Sequence, residues 1–185
     1  MTTLETLLLD PDMAGVWNLV PERSTITFKI RNIWGLLGVK GRFTEFSGDG
    51  QLTGNGAVYG RLDIRAASLR TGIGHRDQHL RSADFFDVER YPEISVVVTA
   101  LAPTTGNAAE LRASFTVKGI NEPVPLPVRI TELDDGAVRI SGETRVDRSQ
   151  FGLGWNRFGV VSPVATVAAD TIFVRAPRQG RGGPQ

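Results

Sequence analysis

Apolar and polar residues alternate with a period of two through most of the chain, the mark of strands with one buried face. Thr25 to Arg31 sets Ile26, Phe28 and Ile30 on one face and Lys29 and Arg31 on the other. Residues 39–44 repeat the pattern with Val39 and Phe43 inward, and residues 58–64 repeat it again with Leu62 and Ile64 in phase. Ile94, Val96 and Val98 share a face, as do Leu111, Ala113, Phe115 and Val117. Val124, Leu126, Val128 and Ile130 follow with Pro125 and Pro127 opposite them, then Val138 and Ile140. From Val167 to Arg175 both frames carry apolar residues, so this strand is predicted without a choice of inward face. Prolines 123, 125 and 127 would interrupt a central ladder, which places their strand at an edge or makes its start irregular. Gly41 and Gly60 fall on inward frames, where glycine permits tight bends in a closing sheet. Turn signals stand at Gly48-Asp49-Gly50, Gly54-Asn55-Gly56, Gly106-Asn107 and Asp134-Asp135-Gly136. These eight strands fit an antiparallel up-and-down barrel that holds one small apolar ligand. A two-sheet sandwich satisfies the same alternation, and a continuous tunnel is what would separate the two.

Residues 71–88 break the pattern. His75, Arg76, His79, Leu80 and Ala83 form a short helical face, predicting one or two helical turns at 75–82 after Gly72 and Gly74. Residues 1–14 read as a loose arm or short leading helix. Their apolar run is only Leu7-Leu8-Leu9, flanked by Glu5, Asp10 and Asp12, which is not the basic start and longer apolar core of a secretory signal. The expectation is a cytoplasmic protein. The sequence from Ala176, rich in Gly, Pro and Arg, reads as a disordered tail over 176–185, leaving 15–175 as the barrel domain.

Composition narrows the classes of function. With 185 residues, 41% of them apolar, the chain suits one domain with a core. No apolar run approaches the roughly 20 residues that span a bilayer. A net charge of +1 argues against a general nucleic-acid binder. The absence of cysteine removes disulfides, thiolate metal sites and a cysteine nucleophile, and the only two histidines, His75 and His79, confine imidazole chemistry to one place.

Six segments carry a family resemblance. They are Trp17 to Phe28, Val39 to Gly48, Arg76 to Val88, Tyr91-Pro92-Glu93-Ile94, Phe115 to Val124, and Asp147 to Leu153. In this order they resemble the YceI-like, polyisoprenoid-binding proteins with a lipocalin-like barrel, over roughly Val16 to Val174. The resemblance implies an eight-stranded antiparallel barrel whose apolar cavity holds a long isoprenoid or similar amphiphile.

The expected function is therefore non-enzymatic binding of an isoprenoid-type amphiphile, for transport, storage or sequestration. No cofactor, metal or nucleic acid is expected, and the oligomeric state is not legible. The expected ligand contacts are the inward Phe28, Phe43, Leu62, Val96, Phe115 and Val128, with Arg76 and His79 meeting the polar head and Trp155 at the rim. Trp34 and Trp155 read either as packing or as a cavity rim that touches membrane transiently. One alternative is a metal-dependent or hydrolytic enzyme using His75, His79 and Asp77, since imidazoles at i, i+4 share a helical face. Ser82, Asp84 and His79 invite a triad reading, but without a nucleophile elbow or oxyanion loop. A second alternative is a stress or interaction protein with a filled core. Asp147 and Ser149 are expected to cap a turn, and Arg148 to hold the 76–87 helix on the barrel through an acidic partner.

Overall fold

The computed structural model describes residues 3–32, 38–154 and 161–178. Its strands form one antiparallel sheet: β1 (Gly15–Leu19), β2 (Thr25–Asn32), β3 (Gly38–Phe43), β4 (Phe46–Leu52), β5 (Val58–Arg65), β6 (Leu69–Arg70), β7 (Glu93–Pro103), β8 (Ala108–Val117), β9 (Ile120–Glu132), β10 (Val138–Asp147) and β11 (Val161–Arg175). Two short helices accompany them, α1 (Leu4–Leu9) and α2 (Gly74–Arg81).

The first six strands are three staves, each broken by a kink. β1 and β2 run end to end along β11, Leu19 opposite Phe173 and Thr25 opposite Asp170, with the 3-10 turn Pro21–Arg23 between them. β3 and β4 continue one another beside β2 and β1, and β6 and β5 beside β3 and β4. With β7 to β11 this makes eight staves, and β1, paired to both β4 and β11, closes the ring. The fold is a closed eight-stranded barrel, and each alternating segment of the sequence falls on a different stave.

Three staves are longer than the alternation indicates. Gly48-Asp49-Gly50, expected as a turn, lies inside β4, paired to β5 and, through Asp49 and Gly50, to β1. Its inward positions are Phe46, Gly48, Gly50 and Leu52, so the pattern is carried by the polar Ser47, Asp49 and Gln51 between them. Glycine at position 48 has a packing cause: a Cβ there would sit 2.7 Å from the carbonyl oxygen of Arg61.

Gly41 has a similar cause. It pairs with Phe28, whose ring lies over it, and a Cβ would meet the ring's Cζ at 2.3 Å. The glycine makes room for a cross-strand aromatic, and no bend of the chain is needed to explain it. In β9 the amide of Ile130 donates toward β8, to Asn107. By the period of two, the nitrogens of residues 123, 125 and 127 face β10, and the β9–β10 ladder ends at Val128, just before them. The prolines thus occupy a locally free edge, the irregular start their positions predict.

β11 owes its doubly apolar pattern to a second cover. Ala165, Val167, Ala169, Thr171 and Phe173 face the barrel interior. Ile172 takes the opposite frame and is still buried, where Val20 donates to its carbonyl and its own amide donates to Ser24 Oγ around the 3-10 turn.

The N-terminal residues belong to the folded body. α1 is capped by Thr3 and buries Leu4 and Leu8, four residues apart, in the cluster that contains Met13 and Trp17. Ala176 donates to Val16, and Arg178 lies 3.6 Å from Asp12. The rest of the expected tail, 179–185, is outside the described residues.

Candidate functional site: the barrel interior

The inward frames enclose two chambers in series. The first, of about 180 Å³, is walled by β4, β5, β7 to β11 and roofed by Leu7, Leu8, Met13 and Trp17. Trp17 is fixed there by its indole N–H, which donates to Met13 O at 2.9 Å. Gly50 and Gly60, directly paired, leave part of this wall as bare backbone and so add space. The second chamber, of about 150 Å³, is lined by Ile26, Phe28, Phe43, Phe115, Val146 and their neighbours and closed by Phe85, Phe86, Phe151 and Leu153.

The chambers share Leu62, Val96, Leu126, Gly142 and Ala169. Leu62 is the cross-strand partner of Val96, and Gly142 that of Ala169. In the ring β5 lies opposite β10 and β7 opposite β11, so a branched pair faces a small pair across the axis. This waist is the boundary between the two chambers. The lining is almost wholly hydrocarbon; in the first chamber Thr171 turns its hydroxyl to Ile140 O at 2.7 Å and presents its methyl group.

An aromatic chain builds the floor of the second chamber. Ring centroids stand 5.5 Å apart for Phe28 and Phe43, 6.2 Å for Phe43 and Phe86, and 5.5 Å for Phe85 and Phe86. Arg148 ends it, its guanidinium 5.8 Å from the Phe85 ring centre. Arg148 is 3% exposed and donates to Ser162 O at 2.8 Å, Val161 O at 3.4 Å and Leu153 O. It therefore ties the start of β11 to the 3-10 turn Arg148–Phe151, which Asp147 caps by accepting from Ser149 N at 2.9 Å. Burial pushes the guanidinium below its ordinary value, with Asp147 acting the other way. Arg148 was expected to hold the helical segment through an acidic residue; the contacts described here reach that segment through the Phe85 ring and otherwise end on carbonyl oxygens.

α2 is held by a latch at its N-terminus. No side chain at the preceding Ile73 caps it. Instead Asp77, 5% exposed, reaches back to accept from Thr71 N at 3.0 Å and from Thr71 Oγ1. Burial, the largest influence, works to raise the Asp77 carboxyl, but the Thr71 hydrogen bonds with Arg81 and Arg70 outweigh it and hold the group below the usual carboxylate value. Arg76 donates to Thr71 Oγ1 at 2.9 Å and Thr71 O at 3.0 Å; Arg81 donates to Ala67 O at 3.0 Å and Leu69 O at 2.7 Å.

The structure brings together most of the expected contacts. Phe28, Phe43, Leu62, Val96 and Phe115 line the second chamber; Leu62, Val96 and Val128 line the first. Arg76 and His79 line neither. Arg76 donates to Thr71, and the half-buried His79 has its Nε2 3.7 Å from Asp84. Trp155, with Trp34 and Phe158, lies outside the described residues. The roof residues Leu7, Leu8 and Met13 were missed because they precede the alternating region; the spacing of Leu4 and Leu8 was the available signal.

Near the imidazoles, Ser82 Oγ donates to the backbone carbonyl of His79 at 2.6 Å, away from the ring. His75 is exposed while Asp77 is buried. Among the described residues no three His, Asp or Glu side chains group as metal ligands, and no helix is long and apolar enough to cross a membrane.

Comparison with known proteins agrees with this architecture. The sequence pattern of the YceI-like domain matches residues 17–174. A UPF0312 protein of Pseudomonas putida strain GB-1 is 31% identical over 149 residues, covering 78% of this chain and 75% of that one. Among solved structures, Burkholderia cenocepacia BcnA superposes with a TM-score of 0.76 at 21% identity, covering 83% of this chain and 98% of its own. A structure described as a polyisoprenoid binding domain from Saccharophagus degradans superposes at 0.73 with 16% identity, over 87% and 98%.

Proposed function

The chain belongs to the YceI-like family, and from that premise we propose that it binds an isoprenoid-type amphiphile, its tail threaded through both chambers, for transport, storage or sequestration without catalysis. The observation that carries this reading is the pair of apolar chambers that lie along the barrel interior and share Leu62, Val96, Leu126, Gly142 and Ala169 as their common boundary. A filled core would leave no such space. The Saccharophagus degradans neighbour, described as polyisoprenoid-binding, supports the same class of ligand.

A hydrocarbon tail suits the lining. Each methylene moved from water contributes about 0.8 kcal/mol at most, so a five-carbon unit contributes roughly 3–4 kcal/mol before the costs of ordering are taken off. Such a wall selects for length and width more than for chemical identity, and polar groups at the ends select the head. Cytoplasmic placement belongs to the same proposal.

The test is native mass spectrometry of the purified protein, followed by organic extraction and identification of what is released. A prenyl lipid at near one-to-one stoichiometry supports the proposal. A protein that carries no lipid and takes up no added prenyl alcohol would refute it. Fractionation of cells tests the compartment.

A further inference from the structure

We propose that the outer face of β2, β3 and β6, continued onto β10, is a docking surface for an anionic lipid bilayer. On this face Lys29 is directly opposite Lys40, and Arg42 directly opposite Arg70. Arg145 lies in the row of the first pair, across Thr166, and Arg31 stands two residues along from Lys29. Five of these six cations are exposed and Lys29 is half-buried. Among the described residues none of them forms a salt bridge. On β10, Glu143 lies in the row of the second pair, across Ala168 and Thr27, and Asp147 stands two residues beyond Arg145.

Directly opposed like charges stand about 5 Å apart at Cβ and destabilise a sheet. Arg70 also donates to Leu69 O at 2.9 Å and helps hold the Asp77 carboxyl, but Lys29, Lys40 and Arg42 have no acid in salt-bridge reach among the described residues, and an anionic partner would relieve the repulsion in both pairs. The whole chain has 21 cations and 20 anions, so six cations gathered on one face leave the remainder net acidic. That asymmetry orients the molecule at a negative surface.

A bilayer is the partner because of what lies behind the wall. The inward residues of the same strands, Ile26, Phe28, Ile30 and Phe43, line the second chamber. Docking here lays the wall of the lipid chamber on the source of the lipid. The choice of bilayer over another polyanion rests on the lipid-binding reading; the charge argument does not.

The experiment measures sedimentation of the full chain with phosphatidylcholine vesicles, pure or carrying about 30 mol% phosphatidylglycerol, at about 50 and 300 mM salt. Binding is expected only to the anionic vesicles, and mostly at low salt. The Lys29→Gln/Lys40→Gln variant is expected to bind them about twenty-five-fold more weakly, at about fivefold per cation removed. Its melting temperature should equal or exceed that of the wild type, because a repulsion is gone. Arg112→Gln/Arg129→Gln, on the outer face of β8 and β9, is the control and should bind as wild type does. Equal binding to both vesicles, an undiminished variant, or tighter binding to duplex DNA than to vesicles in the same buffer would each overturn the proposal. Uptake of a soluble fluorescent prenyl probe is measured in parallel and should be the same in wild type and variant. No uptake alongside anionic vesicle binding refutes the cargo reading alone; uptake without vesicle binding refutes the docking surface alone.

Discussion

Ala169→Phe places an aromatic ring at the waist and tests whether the chambers act in series. Ala169 lines both of them and is paired with Gly142, across the axis from Leu62 and Val96. A prenyl chain short enough for one chamber keeps its site. A chain that crosses the waist loses whatever lies beyond it, and two five-carbon units represent up to about 8 kcal/mol of transfer free energy. Only part of that is realised in affinity, so the expected loss for the long chain is about a hundred-fold or more, roughly 2.7 kcal/mol. The ring has space on either side, about 180 and 150 Å³, so destabilisation should stay below about 2 kcal/mol, a fall in melting temperature of about 4–8 °C. The assay is displacement of a fluorescent prenyl probe by alcohols of increasing length, with a melting curve for each protein. Equal losses for short and long chains would show that the chambers are not in series. Unchanged affinity for all lengths would show that the tail does not cross the waist.

Three further outcomes follow from the geometry. Asp77→Asn should cost about 1–3 kcal/mol at neutral pH by weakening the latch on Thr71. Because the carboxyl is held below the ordinary 3.8, the wild type's advantage should be complete above that value and shrink as pH falls through the lower folded one, which paired melting curves from neutral to strongly acidic pH will show. Gly41→Ala drives a Cβ to 2.3 Å from the Phe28 ring and should cost about 1–3 kcal/mol in denaturant unfolding, with Phe28→Leu recovering part of the loss; equal losses with and without the second change would place the strain elsewhere. His79→Gln should leave prenyl-probe affinity within about twofold at any pH where the protein is folded, the size of an ordinary surface effect; a tenfold change would show that His79 meets the ligand.

The candidate site was legible in proportion to how regularly it repeats. Phe28, Phe43, Leu62, Val96, Phe115 and Val128 alternate with polar neighbours, and an alternating side chain has only one buried face to occupy. Arg76 and His79 were assigned to the head group from their place in the one irregular segment. A helix of eight residues can present either side inward, and the choice was made by Leu80 and Asp77, which are buried. The roof escaped because a short leading helix was one of two readings of residues 1–14, and only its packing shows that Leu7 and Leu8 cover the barrel.

Alternation by itself determined an all-β chain of eight strands and the inner face of seven of them, since a one-residue slip would turn every apolar side chain to water, and it left barrel and sandwich open until β1 was seen to close the ring. It could not determine the inner face of β11, where Ile172 is covered from outside, nor that Gly48 and Gly50 continue a strand. Those depend on neighbours distant in sequence: the 3-10 turn at 21–23 in one case, the Arg61 carbonyl in the other. Only the tertiary structure decided that the interior is two chambers with a waist, because cavity width is set by which residues meet across the axis. Leu62 and Val96 face Gly142 and Ala169 through ring closure, and no local pattern along the chain records that meeting.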